Sequence, residues 1–157
     1  ERNIPTAVDP KRDNFFAYQG ATLFKPNLKE LKEGLKVDFD KNDFQALKSA
    51  IDLLEQQLAN RVTMVTLSEL GVVAHHASDF IHEKAHKREI LDVSGAGDTV
   101  ISVASLALAA GAQPAVYAAL ANIAGGLVCE KVGVVPIDKE LLVQEALSKL
   151  VSEHLML

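Results

Sequence analysis

The chain of 157 residues has the size of one domain, so a single core is expected over residues 1–157, and a long repeat array or large multidomain enzyme is excluded. Apolar residues make up 48% and charged residues 24%, the balance of a globular protein rather than a disordered one. Lysine and arginine number 16 against 21 acidic side chains, and the net charge of −5 with no basic block argues against nucleic acid as a partner. Cys129 is the only cysteine, which excludes an internal disulfide and a cysteine-based zinc site and fits a reducing, cytoplasmic setting.

Glu1-Arg2-Asn3-Ile4-Pro5 shows neither a signal-peptide pattern nor an initiator Met, so a piece of a longer chain is expected. Ile4 to Val8 reads as a strand closed by Asp9-Pro10, which puts Lys11 at a strand end. Ala21 to Phe24 reads as a second strand. After it Asn27, with Glu30 three residues on, forms the pattern of a capping box that starts a helix. Phe44, Leu47, Ile51, Leu54 and Leu58 recur at steps of three and four, which predicts an amphipathic helix over about 42–60. Val62–Leu67 and Gly71–Ala74 read as strands joined by a polar turn, and Phe80–Ile81 and Ile90–Val93 as weaker strands around the charged stretch His82–Glu89.

Residues 99–129 carry no charge, but Gly111-Ala112-Gln113-Pro114 divides them, and each half falls short of the roughly 20 apolar residues of a membrane span. No membrane association is expected. Two buried helices are: one opened by Gly95-Ala96-Gly97 and running to about Ala110, the other opened by Pro114 and ending near Gly133. A last helix is predicted over about 138–151. Strands alternating with helices imply an α/β fold with a mostly parallel sheet.

Chemistry concentrates at Asp92-Val93-Ser94-Gly95-Ala96-Gly97-Asp98-Thr99. Free amides at a helix start form an anion site, and the glycines let the main chain come close to a phosphate. Asp98, in the first turn, could take a hydroxyl proton as that hydroxyl attacks phosphorus, or could simply complement the helix dipole. No P-loop is present, and position 100 is Val where a dinucleotide fingerprint needs its third glycine, so a nicotinamide dehydrogenase is disfavoured.

His82-Glu83-Lys84-Ala85-His86 matches the zinc pattern H-E-x-x-H, with His75 and His76 nearby. The charged neighbours Lys84, Lys87, Arg88 and Glu89 favour a solvated connection instead. Asn27 and Glu30 admit capping alone or an outer-sphere Mg²⁺ and phosphate site. Lys11 reads as a surface charge or a phosphate partner. Thr66, Ser68, Glu69 and Gly71 read as turn chemistry or as a strand end facing a nucleotide.

Taken together, Asp92 to Thr99 resembles the C-terminal signature of the ribokinase-like (PfkB) carbohydrate kinases. Asn27-Leu28-Lys29-Glu30 resembles that family's N-x-x-E motif, Thr66–Gly71 its nucleotide-binding strand turn, and Ala121-Asn122 its helix beside the adenine. Val8–Lys11, Tyr18-x-Gly20-Ala21-Thr22-Leu23, Pro26-Asn27 and Asp98–Ile101 further resemble the members that phosphorylate heptose 7-phosphate for ADP-heptose and lipopolysaccharide synthesis.

The resemblance implies a ribokinase-like three-layer α/β/α fold. It implies Asp98 as catalytic base and Gly95, Ala96 and Gly97 as anion hole. ATP is implied against Lys11, Asn27, Glu30, Thr66, Ser68, Glu69, Gly71 and Asn122. Mg²⁺ is implied near Asn27 and Glu30 through water, and a monovalent cation such as K⁺ near Asp92 and Ser94, beside the loop around Lys131 and Gly133. A small-molecule sugar is the implied substrate, and a homodimer is allowed. The resemblance corresponds to the second half of such a kinase, without the sugar-holding strands and lid. A departure is Ser94, where Thr is common in the family. The readings are therefore a sugar or sugar-phosphate kinase, a nucleotide-binding fragment without turnover, or a zinc hydrolase built on His82 and His86.

Overall fold

The structure, a computed structural model, describes residues 4–154. Five strands form one sheet in the order β1 (Ala7–Val8), β2 (Leu23–Phe24), β3 (Val62–Thr66), β4 (Val72–His76) and β5 (Asp79–Glu83). The helices are α1 (Leu28–Leu35), α2 (Phe44–Leu58), α3 (Ala96–Ala109), α4 (Pro114–Cys129) and α5 (Lys139–His154).

Strand alternation divides the core into two layers. Phe24, Val65 and Val73 face α1 and α2, where Leu31, Leu47, Ile51, Leu54 and Leu58 cover them. Leu23, Val62, Met64, Val72 and Ala74 point to the other face, against Val100, Ala104, Tyr117, Ala118 and Ala121 of α3 and α4. Both faces being covered explains why apolar side chains on Val62–Leu67 point both ways, Val62 and Met64 to one face and Val65 to the other. The result is three layers, α1/α2, sheet, and α3/α4, with α5 against α4.

Parallel pairing holds only for β1–β2 and β2–β3; β3–β4 and β4–β5 are antiparallel, so the sheet is mixed rather than mostly parallel. Connection length is the cause. A parallel return needs a crossover of a dozen or more residues, whereas β3 reaches β4 through the short 3-10 turn Ser68–Leu70 and β4 reaches β5 through Ala77-Ser78 alone. The expected strand at Ile90–Val93 does not form, because the amides of Leu91 and Asp92 both donate to the Cys129 carbonyl at the end of α4 instead of to a neighbouring strand. The fourth helix also stops at Cys129 rather than near Gly133.

Helix starts follow local chemistry. The capping box forms, with Asn27 Oδ1 accepting the Glu30 amide and Glu30 Oε2 accepting the Asn27 amide, each at 2.8 Å. Asp43 Oδ1 accepts the Ala46 amide at 2.9 Å and opens α2. Beneath α2 lies a polar chain: Asn60 donates to Thr63 Oγ1, Thr63 donates to Glu55 Oε1 at 2.7 Å, and buried His75 donates from Nδ1 to Glu55. These bonds let a histidine and a carboxylate sit in the core interface.

Among the described residues no helix is long and apolar enough to cross a membrane. Leu54 is fully buried between α2 and the sheet, so Leu54→Ala should lower stability by about 2–5 kcal/mol with an unchanged denaturant slope, measured by urea unfolding.

Candidate functional site

The parallel strands end at one edge of the sheet. There Lys11 follows β1, Asn27 follows β2 and Thr66 closes β3, with a further parallel bridge between Asn27 and Thr66. Because β4 and β5 run antiparallel, the start of β4 (Gly71, Val72) and the end of β5 return to that same edge. Ligands of open α/β sheets bind at such carboxyl-terminal edges.

A cleft of about 580 Å³ opens there, lined on one side by Thr66, Ser68, Glu69 and Gly71 and on the other by Ala96, Gly97 and Asn122. Residues 85–90, Val93, Gly125, Gly126 and Cys129 contribute walls, apart from solvent-facing Glu89. A second cleft of about 780 Å³ shares Thr66, Ser68 and Glu69 and adds Asn27 and three lysines, Lys29, Lys32 and Lys41. Lys41 and Glu69 are ion-paired at the junction.

The anion turn is built by its own side chains. Gly95 takes φ 77° before α3, a left-handed value that favours glycine. Asp92 Oδ1 accepts the Ser94 amide at 2.9 Å and Oδ2 accepts the Gly133 amide at 2.8 Å, so one carboxylate ties the turn to the loop after α4. The Ser94 hydrogen bonds, and after them the Gly133 amide, hold the Asp92 carboxyl below the usual carboxylate range. The first helical bond runs from the Thr99 amide to the Gly95 carbonyl, which leaves the amides of Gly97 and Asp98 without backbone partners among the described residues. Asp98 is exposed in that first turn.

The expected residues divide by location. Thr66, Ser68, Glu69, Gly71, Ala96, Gly97 and Asn122 share the cleft, and Asn27 adjoins it through the lysine-lined cleft. Asn122 also has a structural part, donating from Nδ2 to the Lys84 carbonyl at 2.9 Å and so tying α4 to the loop after β5. Lys11 is exposed and lines none of the clefts. Glu30 turns to a separate cleft shared with Phe15 and Gly34. Gly71 is obligatory, since a Cβ there would stand 2.0 Å from the Glu83 carbonyl oxygen.

The zinc reading is overturned. His82 lies in β5, not on a helix, with Nε2 donating to the Leu70 carbonyl at 2.7 Å, while His86 sits in the cleft wall against Lys149. His75 and His76 alternate to opposite faces of β4, and no metal-holding cluster exists among the described residues.

Some cleft residues escaped the sequence reading. Arg88, read as part of a solvated connection, has a side chain only 8% exposed and pairs with Glu130 at 3.3 Å and with Glu145. It thereby joins the cleft wall to α4 and α5. The available signal was Gly125-Gly126 inside a helical pattern, a mark of close approach. A Cβ on Gly126 would stand 2.5 Å from Arg88 Nε, and one on Gly125 would stand 2.7 Å from Val100 Cγ2. Lys25, 2% exposed, pairs with Asp9 at 3.2 Å beside the same edge. Burial pushes the Cys129 thiol up, as in a packing residue rather than a nucleophile.

The model of the pfkB family carbohydrate kinases matches residues 3–140. The bifunctional protein HldE of Koribacter versatilis is 38% identical over 139 residues, covering 88% of this chain and 28% of the relative. That of Alcanivorax borkumensis is 42% identical over 134 residues, covering 85% and 28%. Phosphofructokinase-2 from Escherichia coli, solved in complex with potassium, superposes with a TM-score of 0.83 at 18% identity over 92% of this chain and 47% of that one. Ribokinase from Thermotoga maritima gives 0.74 at 19% identity, over 94% and 50%. The fold is therefore ribokinase-like. The chain spans just over a quarter of the length of these curated relatives, at 28%.

Asp92 gives a pH signature. Its carboxyl is lowered in the fold, so its contribution is complete above the unfolded value of about 3.9 and is lost as pH falls through the lower folded value. Protection of the Ser94 and Gly133 amides, measured as exchange relative to the intrinsic rate at each pH, should be lost in that acid range in the native protein, and in Asp92→Ala should be absent already at neutral pH.

Proposed function

The chain belongs to the pfkB family of carbohydrate kinases, and on that premise we propose that it forms the nucleotide-binding and catalytic part of an ATP-dependent kinase acting on a sugar or sugar-phosphate hydroxyl. The acceptor we propose is heptose 7-phosphate at its anomeric position, supported by the identity of 38–42% to proteins named HldE. The observation that carries this reading is the single cleft in which the β3–β4 turn, Asn122 and the start of α3 meet.

In this reading the base and ribose occupy the cleft between Gly71 and Gly125, and the phosphates extend toward the start of α3. The unpartnered amides of Gly97 and Asp98 and the dipole of α3 stabilise charge on the transferred group. They cost no reorganisation, because the Asp92 contacts have already shaped the turn. Asp98 orients the attacking hydroxyl and accepts its proton as the new O–P bond forms, while ADP departs with the electrons of the broken bond. The lysines of the neighbouring cleft are each paired with a carboxylate of the same cleft, Lys29 with Glu33, Lys32 with Asp38 and Lys41 with Glu69, so the start of α3 rather than a lysine field supplies the charge stabilisation.

The donor set near Asn27 fits Mg²⁺ only through water. Asn27 Oδ1 and Glu30 Oε2 are committed to the capping box, which leaves outer-sphere contacts for a hard cation. When bound, Mg²⁺ supplies charge neutralisation of the phosphates. Each Asp92 oxygen accepts one amide and keeps a second lone pair, so Asp92 with Ser94 also fits a monovalent cation such as K⁺.

A second reading, nucleotide binding without transfer by this chain alone, is favoured by its coverage of only 28% of the HldE relatives. Equilibrium ATP binding together with a phosphotransfer assay separates the two: binding with transfer supports the first and binding alone the second. In the enzyme that contains this chain, Asp98→Asn should lower kcat by about 10²–10⁴-fold while leaving ATP affinity within about threefold. An unchanged kcat removes Asp98 from the proposed role.

A further inference from the structure

A third cleft, also of about 580 Å³, opens at the opposite edge of the sheet. It lies where β3 begins, β4 ends and α4 starts, a strand length from the anion turn, roughly 15 Å. Its charged lining is one-sided. Arg61 and His76 face it, and among the described residues no carboxylate does. Arg61 forms no ion pair among the described residues, and Asp79, opposite His76 in the β4–β5 hairpin, neither pairs with it nor lines the cleft.

Two further features converge here. The first is the start of α4, a 16-residue helix that Gln113 opens without a side-chain cap. The amides of Val116 and Tyr117 are taken by the Gln113 carbonyl, and Pro114 has none, so the Ala115 amide is left for an outside acceptor. The second is Tyr117. It is 1% exposed, and its hydroxyl has no hydrogen-bond partner among the described residues. Desolvation pushes its pKa up to about 12 while the Arg61 charge opposes the rise, so the phenol stays a donor and stands within electrostatic reach of the guanidinium.

A buried donor without an acceptor is uncommon in a native fold, and an acceptor supplied from outside accounts for it. A guanidinium, an imidazole, a helix amide and a hydroxyl together ask for more oxygens than a carboxylate carries, which suits a tetrahedral oxyanion. The cleft is also several times larger than bare phosphate, leaving room for an organic part.

We propose that this cleft binds the phosphate group of a small organic phosphate, held by Arg61, His76 and the start of α4, with the Tyr117 hydroxyl donating to one of its oxygens. The site is separate from the nucleotide cleft, with which it shares no lining residue.

Amide chemical shifts test it, with inorganic phosphate and glycerol 3-phosphate as probes and sodium chloride at matched ionic strength as control. The expected result is saturable movement of the amides of Arg61, His76, Ala115 and Tyr117 by both phosphates and not by chloride. Tighter binding of glycerol 3-phosphate assigns an ester as the ligand, and tighter inorganic phosphate assigns the free ion. Arg61→Gln should weaken this response at least tenfold while shifts at Gly97 and Asp98 stay as they were. Tyr117→Phe, which preserves the ring, should weaken it several-fold without lowering the melting temperature. The proposal is overturned if chloride gives the same response, if only Gly97 and Asp98 move, or if Arg61→Gln binds as the native chain does.

Discussion

One carboxylate holds together what the candidate site depends on. Asp92 accepts an amide on each oxygen, from Ser94 inside the turn before α3 at 2.9 Å and from Gly133 beyond α4 at 2.8 Å, although Gly133 lies 41 positions along the chain. A helix start is an anion site only while its amides converge, and a turn with a left-handed glycine has many other conformations open to it. The Asp92 contacts select one of these and register it against α4, whose Gly125 and Gly126 form the far wall of the cleft.

The remaining walls are fixed the same way, by polar ties from loop to helix. Leu91 and Asp92 donate to the Cys129 carbonyl, Asn122 donates to the Lys84 carbonyl, and Arg88 bridges to Glu130 and Glu145. The segment between β5 and α3 has no ladder of its own, so these contacts replace one. Arg88 is neutralised by two carboxylates, which makes it a clamp rather than a phosphate ligand. The lysines beside Asn27 are neutralised in the same way, each by a carboxylate of the same cleft: Lys29 by Glu33, Lys32 by Asp38 and Lys41 by Glu69.

Much of this was legible in the sequence, because short-range patterns carry it. The Asn27–Glu30 capping box, the α2 stripe from Phe44 to Leu58 and the glycine turn before α3 each follow from spacing alone, and each forms. The strand direction of β4 and β5 was not read, although the two-residue link Ala77-Ser78 excludes a crossover. Ile90–Val93 has strand composition, but its amides find a helix carbonyl, which no local pattern announces. Arg88 looked like surface charge because its partners lie 42 and 57 positions away, at Glu130 and Glu145. Tyr117 lies within a stretch expected as a buried helix, and only its tertiary setting shows a hydroxyl without an acceptor among the described residues.

The central claim is that the turn from Ser94 to Asp98 is a preformed cradle for the phosphates of a nucleotide. Hydrogen exchange of the protein with and without Mg²⁺ and a non-hydrolysable ATP analogue tests it most directly. The account predicts slowed exchange at the amides of Gly97 and Asp98, with Ser94 already slow before nucleotide is added. Saturable nucleotide binding that leaves Gly97 and Asp98 exchanging at their free rates would contradict it.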